Sequence, residues 1–114
     1  MLFLAATVAT GSLWAADVSL SDLPREAKTT YALVKQGGPF PYAKDGVTFG
    51  NFEGNLAKKK RGFYREYTVP TPGAKNRGAR RIVCGASEAQ WQRNAPDACY
   101  YTADHYQTFQ RIKE

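Results

Sequence analysis

The sequence predicts an α+β fold in which an N-terminal helix packs on a small antiparallel β-sheet. Two observations support this prediction: an apolar stripe with helical spacing lies near the start, and segments of alternating polarity follow from about residue 62. A helix signal followed by a run of strand signals is typical of α+β domains. Because 114 residues fit one domain, we expect residues 17–114 to form a single unit.

The helix is predicted by apolar residues that recur at spacings of four, four and three, which places them on one face. They are Leu23, Ala27, Tyr31 and Val34. Pro24 suits the first turn of a helix, and Gly37-Gly38 ends it.

The sheet is predicted by the alternation in residues 63–69, which assigns their side chains to two faces. One face carries Tyr64, Glu66 and Thr68, and the other carries Phe63, Arg65, Tyr67 and Val69. Residues 78–85 predict a second strand, residues 86–98 a polar loop, and residues 100–112 one or two further strands.

The charge balance is basic, with sixteen Lys+Arg against ten Asp+Glu and a net charge of +6. Such a balance favours a polyanionic partner, which would be nucleic acid, an anionic membrane or a polysaccharide. Nine of the basic residues lie between Lys58 and Arg81, where Glu66 is the one acid. This run indicates either a solvated face or a phosphate-binding surface that contains a single carboxylate.

Residues 1–16 carry no charged side chain and end in two alanines. This pattern predicts a secretory signal peptide, or the remnant of one, with cleavage near Ala15 or Ala16. We therefore expect a secreted protein, extracellular or periplasmic. Sixteen residues are too few to span a membrane comfortably, and we expect no membrane partner.

The chain has two cysteines, Cys84 and Cys99, and an even count in an exported chain predicts a disulfide. A bridge closing a loop of about 15 residues would stabilise the fold by roughly 3 kcal/mol. The alternative is two unrelated buried thiols. Together with the only histidine they supply too few ligands for a metal site, so we expect neither a metal nor a cofactor.

Four residues form a set that suits phosphodiester chemistry, although each alone has an ordinary structural explanation. His105 is the only histidine, Glu66 lies in the middle of a predicted strand, and Arg77 and Arg81 are four residues apart and so point the same way along a strand. RNA supplies its own 2′-OH nucleophile, which needs a base, an acid for the leaving 5′-oxygen and cations for the developing negative charge. The set provides all three, with arginine holding phosphate bidentately.

Seven segments, in the same order, carry a resemblance to a known family. They are GPFPY (38–42), DG (45–46), NFEG (51–54), YREYTV (64–69), TPG (71–73), RGARRIV (77–83) and YYTADHY (100–106). The chain resembles the barnase-like guanyl-specific ribonucleases of bacteria from about Leu23 to Ile112. The resemblance implies the microbial ribonuclease fold for residues 17–114.

The resemblance also implies the reaction and its residues. Glu66 would be the general base and His105 the general acid, while Arg77 and Arg81 would bind the reacting phosphate. The substrate would be single-stranded RNA, cut after guanosine to a 2′,3′-cyclic phosphate that water then opens to a 3′-phosphate.

The guanine would bind to the loop of residues 49–54. Glu53 would accept hydrogen bonds from guanine N1–H and N2–H, and main-chain N–H groups near Asn51 and Phe52 would meet O6. Phe49 and Tyr106 would stack on the base. Two positions depart from the family: Phe52 stands where arginine is usual, and Ala57 where proline is frequent, so the guanine preference is expected to be less strict.

Two other functions stay open. The chain would be a catalytically silent RNA- or polyanion-binding relative if it had lost turnover, or an interbacterial toxin with the same chemistry. The resemblance implies a small acidic inhibitor of the barstar type as a partner of a monomeric enzyme.

Overall fold

A computed structural model describes residues 16–114, which form a five-stranded sheet with a helix on one face. The strands are β1 (Ala16–Ser19), β2 (Tyr64–Thr68), β3 (Arg81–Gly85), β4 (Ala98–Thr102) and β5 (Gln110–Lys113). The helices are α1 (Arg25–Gln36) and α2 (Glu88–Gln92), and a 3-10 turn (Leu20–Asp22) precedes α1. The predicted signal segment lies outside the described residues except for Ala16, which begins β1.

The strand order in the sheet is β1-β5-β4-β3-β2. Strands β2 to β5 pair antiparallel, as predicted from the alternation. The short edge strand β1 pairs parallel with β5, so the sheet is mixed. Its four residues alternate in polarity but are mostly exposed, and so short a pattern did not mark them as a strand.

Helix α1 begins and ends where the sequence predicts. Pro24 is its N-cap residue, and Gly37 ends it with a φ of 84°, a left-handed conformation that glycine adopts without steric cost. The Gly37 N–H donates to the Leu33 carbonyl at 2.9 Å. The predicted apolar stripe is buried, with Ala27 at 0% exposure and Val34 at 2%.

The two faces of the sheet carry separate apolar clusters. The helix-side cluster combines the α1 stripe with Tyr67, Val69 and Ile82. The opposite cluster contains Leu56, Tyr64, Val83 and Phe109, with Phe49 and Tyr106 packed against it. Tyr64 and Tyr67 therefore lie on opposite faces, as predicted, which places Glu66 on the face without the helix. Phe63 was predicted on the Tyr67 face, but it precedes β2 and packs against the opposite cluster with Tyr64.

The prediction of a polar loop over residues 86–98 is wrong in part, because α2 lies within it. Ser87 caps this helix by accepting a hydrogen bond from the Gln90 N–H, and the Gln90 side chain returns a bond to Ser87. Trp91 is buried, and its indole Nε1–H donates to the Phe63 carbonyl at 3.1 Å. Five helical residues with one buried side chain give too short a pattern for periodicity to reveal.

The predicted disulfide is confirmed: Cys84 and Cys99 are bridged across directly paired positions of β3 and β4. Both side chains belong to the helix-side cluster. The bridge therefore links β3 to β4, which is the central strand of the sheet and follows α2 in the chain. No helix among residues 16–114 is both long and apolar enough to cross a membrane.

Candidate active site

A cleft of about 410 Å³ opens on the sheet face that lacks the helix. One wall is the base loop, by which we mean residues 49–54, and the other is the segment 105–107. Glu66 also lines the cleft. The structure thus brings Glu66, His105 and all five predicted base-binding residues to one cavity. Arg77 and Arg81 do not line this cavity, but both lie beside Glu66, which does.

Glu66 is a half-buried carboxylate whose contacts concentrate on one oxygen. Its Oε1 accepts a hydrogen bond from the Tyr106 hydroxyl at 2.6 Å and lies 3.4 Å from Arg77 Nη2 and 3.8 Å from Arg81 Nε. Within residues 16–114 none of these contacts involves Oε2. One oxygen is therefore fixed, while the other keeps its lone pairs for a proton.

Arg81 is a buried cation, with 3% of its side chain exposed. Its Nη1 donates to the carbonyls of Arg80 at 2.8 Å and Gly78 at 3.0 Å. Its Nε has no hydrogen-bond partner among the described residues. The main chain thus fixes one side of the guanidinium, and the other side is directed at Glu66.

Arg77 does not lie on a strand, contrary to the sequence prediction, since β3 begins only at Arg81. Its guanidinium donates to Thr68 Oγ1 through both Nε, at 3.0 Å, and Nη2, at 2.8 Å. Thr68 follows Glu66 on the same face of β2. Both arginines lie beside Glu66. Arg77 does so because Thr68 holds its guanidinium there, and not because it is four residues from Arg81 in the sequence.

The segment that carries His105 has an unusual backbone. His105 and Tyr106 both adopt positive φ, at 56° and 76°, which costs free energy in residues other than glycine. The His105 N–H donates to the Ala79 carbonyl at 3.0 Å, and the Tyr106 N–H to Thr102 Oγ1 at 3.1 Å. These bonds keep the exposed imidazole beside the cleft.

The Tyr106 hydroxyl makes a contact with Glu66 that the sequence did not reveal. Burial raises its pKa to about 12, with a further contribution from the hydrogen bond to Glu66. The group therefore stays a protonated donor at neutral pH. Its ring lies 4.9 Å from that of Phe49, centroid to centroid, so the predicted stacking residues contact each other.

The base loop is closed by Asn51. Its side-chain Nδ2 donates to the Leu56 carbonyl at 2.9 Å, and its Oδ1 accepts from the Leu56 N–H at 3.1 Å. Within the described part of the chain, the N–H groups of residues 51–53 donate no hydrogen bond. The loop thus offers main-chain donors to a ligand, while the Asn51 side chain is used within the loop.

Glu53 is exposed at the rim of the cleft. Its Oε1 receives only long contacts, from Asn55 Nδ2 at 3.4 Å and Gln107 Nε2 at 3.5 Å. Asn55 also donates to the Tyr106 carbonyl at 3.0 Å, which joins the two walls. Sequence reasoning missed Asn55 and Gln107, because a single amide in a loop carries no pattern.

A fixed carboxylate, two arginines, an imidazole and an aromatic wall define a site for a planar ligand that carries phosphate. Among residues 16–114, no group of three or more His, Cys, Asp or Glu side chains is placed to hold a metal ion.

Comparisons with known proteins agree with this class of site. A ribonuclease family model matches residues 6–113, and the chain belongs to this family. It is 52% identical over 95 residues to guanyl-specific ribonuclease Sa3 of Kitasatospora aureofaciens, a match that covers 83% of this chain and 62% of Sa3. It is 48% identical over 97 residues to guanyl-specific ribonuclease Sa of the same organism, covering 85% of this chain and 93% of Sa.

Solved structures share the fold. A crystal structure of ribonuclease Sa2 with guanosine-2′-cyclophosphate superposes with a TM-score of 0.75 at 44% identity, covering 87% of this chain and 96% of that one. A crystal structure of ribonuclease Sa2 with 3′-GMP gives a TM-score of 0.71 at 44% identity, covering 86% of this chain and 96% of that one. The fold predicted from the resemblance is confirmed.

The stability of the fold should depend on pH through Asp104, in the loop after β4. Burial opposes its ionisation and is the largest single influence, but hydrogen bonds from Thr108 and Thr102 together outweigh it and lower the pKa of Asp104 below the ordinary 3.8. A lowered pKa in the folded state stabilises the fold above the ordinary pKa, and that contribution is lost as the pH falls through the folded value.

We therefore expect Asp104→Asn to melt at a lower temperature than the wild type at pH 7. The difference should shrink as the pH falls below about 4, where wild-type Asp104 becomes protonated and resembles asparagine. Circular dichroism melts between pH 7 and pH 2 measure it, with Asp22→Asn in the 3-10 turn as the control. A difference that does not change with pH would contradict this account of the loop.

Proposed function

We propose that the protein is an endoribonuclease that cuts single-stranded RNA after guanosine without a metal ion. The observation that carries this proposal is the arrangement at Glu66, where two arginines and Tyr106 hold one carboxylate oxygen and leave the other free. The guanyl-specific relatives and the guanosine-bound relatives support the choice of base.

In the first step, Glu66 takes the proton from the 2′-OH of the guanosine as that oxygen attacks the adjacent phosphorus. His105 gives a proton to the 5′-oxygen of the next nucleotide, whose bond to phosphorus breaks. The products are a 2′,3′-cyclic phosphate and a free 5′-OH. In the second step Glu66 and His105 exchange roles: His105 takes a proton from water, Glu66 returns one to the 2′-oxygen, and a 3′-phosphate remains.

Arg77 and Arg81 stabilise the negative charge that builds up on the phosphate oxygens. The unpaired Nε–H of Arg81 is a buried donor beside Glu66, so a phosphate oxygen at that point would satisfy it. Because the main chain and Thr68 already orient both guanidinium groups, little reorganisation is needed in the transition state.

The base loop supplies the guanine preference. The main-chain N–H groups of residues 51–53 suit guanine O6, and the Glu53 carboxylate suits the N1–H and N2–H₂ edge. The rings of Phe49 and Tyr106 pack against each other, so the base stacks on an outer face of this pair and does not insert between the rings. The exposed Phe52 adds apolar surface at the rim in place of a charge.

We also propose export and a single domain for residues 17–114, supported by the uncharged first 16 residues and by the Cys84–Cys99 bridge. A nuclease with an open active-site cleft endangers the cell that makes it. A small acidic inhibitor of the barstar type, binding the monomeric enzyme over the cleft, fits the net charge of +6.

Glu66→Gln and His105→Ala test the catalytic assignment. Each should reduce kcat/KM for a GpN dinucleotide by about 10²–10⁴-fold, because each removes one proton transfer. His105→Ala should keep a melting temperature close to that of the wild type. Glu66→Gln should stay folded but melt at a lower temperature, because it leaves the buried Arg81 cation without its carboxylate. The pH profile of wild-type kcat/KM should be bell-shaped, and each variant should lose one limb. Near-normal cleavage by a folded variant would show that the residue takes no part in the proton transfers.

Glu53→Ala tests the base assignment. Adenine has an acceptor at N1 and no amine at C2, so a bound adenine would cover the Glu53 carboxylate without giving it a donor. An acceptor that loses water without gaining a partner is costly, which disfavours adenine. The variant should lose activity on GpN far more than on ApN, as measured by the ratio of the two kcat/KM values. Phe52→Arg, the matched change beside it, should keep or sharpen the ratio. An equal loss on both substrates would show that Glu53 does not read the base.

A further inference from the structure

A second cleft, of about 480 Å³, lies on the other side of the base loop. It shares residues 49–53 with the first cleft and is otherwise bordered by Gly54, Lys58–Arg61 and Tyr64. None of Glu66, Arg77, Arg81 and His105 lines it. The base loop is thus a partition with the proposed catalytic groups on one side and a separate basic cavity on the other.

The four consecutive cations of this cavity are Lys58, Lys59, Lys60 and Arg61. Within residues 16–114 no carboxylate oxygen lies within 4.0 Å of any of them. Glu53 is the one acid among the lining residues. The Lys59 ammonium lies 5.1 Å from the centroid of the Phe63 ring, which orients that side chain. Unpaired cations gathered beside a concave surface are suited to a phosphate backbone.

Phe52 lies on the base loop between the two clefts and lines both of them. It is 93% exposed, which is exceptional for an aromatic side chain. The ring lies over Gly50, where an added Cβ would come within 2.5 Å of the ring carbon Cε2. The missing side chain at Gly50 therefore lets the ring rest on the loop with its other face open to a stacking base.

We propose that Phe52 and Lys58–Arg61 form a subsite for the nucleotides on the 5′ side of the bound guanosine, with the upstream base stacked on Phe52 and the upstream phosphates on the cations. This proposal rests on the function proposed above. The phosphate on the 3′ side is held beside Glu66, in the first cleft. The second cleft lies beyond the base loop and away from those groups, so the strand that reaches it is the upstream one. Stacking and phosphate contacts make the subsite tolerant of sequence.

The test compares kcat/KM for three substrates: GpA, the 5′-extended UpUpGpA and the 3′-extended GpApUpU. The wild type should cleave UpUpGpA about tenfold better than GpA, since the stacked base and the upstream phosphates have to be bound together for the extension to contribute. Lys58→Gln/Lys60→Gln should lose this gain and leave GpA unchanged. Its log–log salt slope on UpUpGpA should be shallower by about 0.7 for each phosphate contact removed.

The control is Lys28→Gln/Lys113→Gln, which removes the same charge from α1 and β5 and should keep the gain. Phe52→Ala should lower cleavage of UpUpGpA more than cleavage of GpA. A gain that persists in Lys58→Gln/Lys60→Gln, that is lost equally in the control, or that follows the 3′ extension instead would overturn the subsite.

Binding of uncleavable oligonucleotides separates the subsite from the proposed function. In these the guanosine carries 2′-deoxyribose, so no nucleophile is present, and fluorescence anisotropy gives their dissociation constants. The 5′-extended oligonucleotide should bind about tenfold more tightly than the dinucleotide, and Lys58→Gln/Lys60→Gln should remove the difference while Lys28→Gln/Lys113→Gln keeps it. Equal affinities would reject the subsite even if GpA is cleaved. Absence of GpA cleavage with the affinity difference intact would reject only the proposed function.

Discussion

The site depends on one buried ion pair, between Arg81 on β3 and Glu66 on β2. A guanidinium with 3% exposure is costly to bury unless a carboxylate and hydrogen-bond acceptors compensate its charge. Glu66 lies 3.8 Å away, and main-chain carbonyls accept from the other side of the group. This pair requires one register, in which Thr68 is opposite Arg81 and Glu66 opposite Val83. A shift by one residue would turn Glu66 toward the helix side of the sheet.

The aromatic cluster behind the site makes the arrangement rigid. Phe109 is buried, and its ring lies 6.0 Å from that of Phe49 and 6.5 Å from that of Tyr106. Tyr106 is therefore held in two ways: its ring packs against the apolar cluster, and its hydroxyl donates a hydrogen bond to Glu66. This explains how the strained backbone at residues 105 and 106 is kept. Packing on one side and hydrogen bonds to Thr102 and Ala79 on the other offset its cost.

The sequence predicted those features that repeat along the chain. Alternation placed Glu66 and Tyr67 on opposite faces, and the helical stripe located α1 between Pro24 and Gly37. Features that depend on contacts distant in sequence were not predictable, such as the bond from Tyr106 to Glu66, 40 residues apart. Arg77 was predicted as a site residue from the family motif, but the strand geometry assumed for it was wrong. Its position depends on the hydrogen bonds to Thr68, which the sequence does not predict. The edge strand β1 and the short helix α2 were missed because neither gives a long enough pattern.

Cleavage after guanosine without a metal ion is tested most directly by the products of a defined single-stranded RNA that contains all four bases, digested with and without EDTA. We expect fragments that end first in guanosine 2′,3′-cyclic phosphate and later in guanosine 3′-phosphate, at rates that EDTA does not change, with mass spectrometry identifying each end. Fragments with 5′-phosphate ends, cleavage without preference for guanosine, or a reaction that EDTA stops would contradict it.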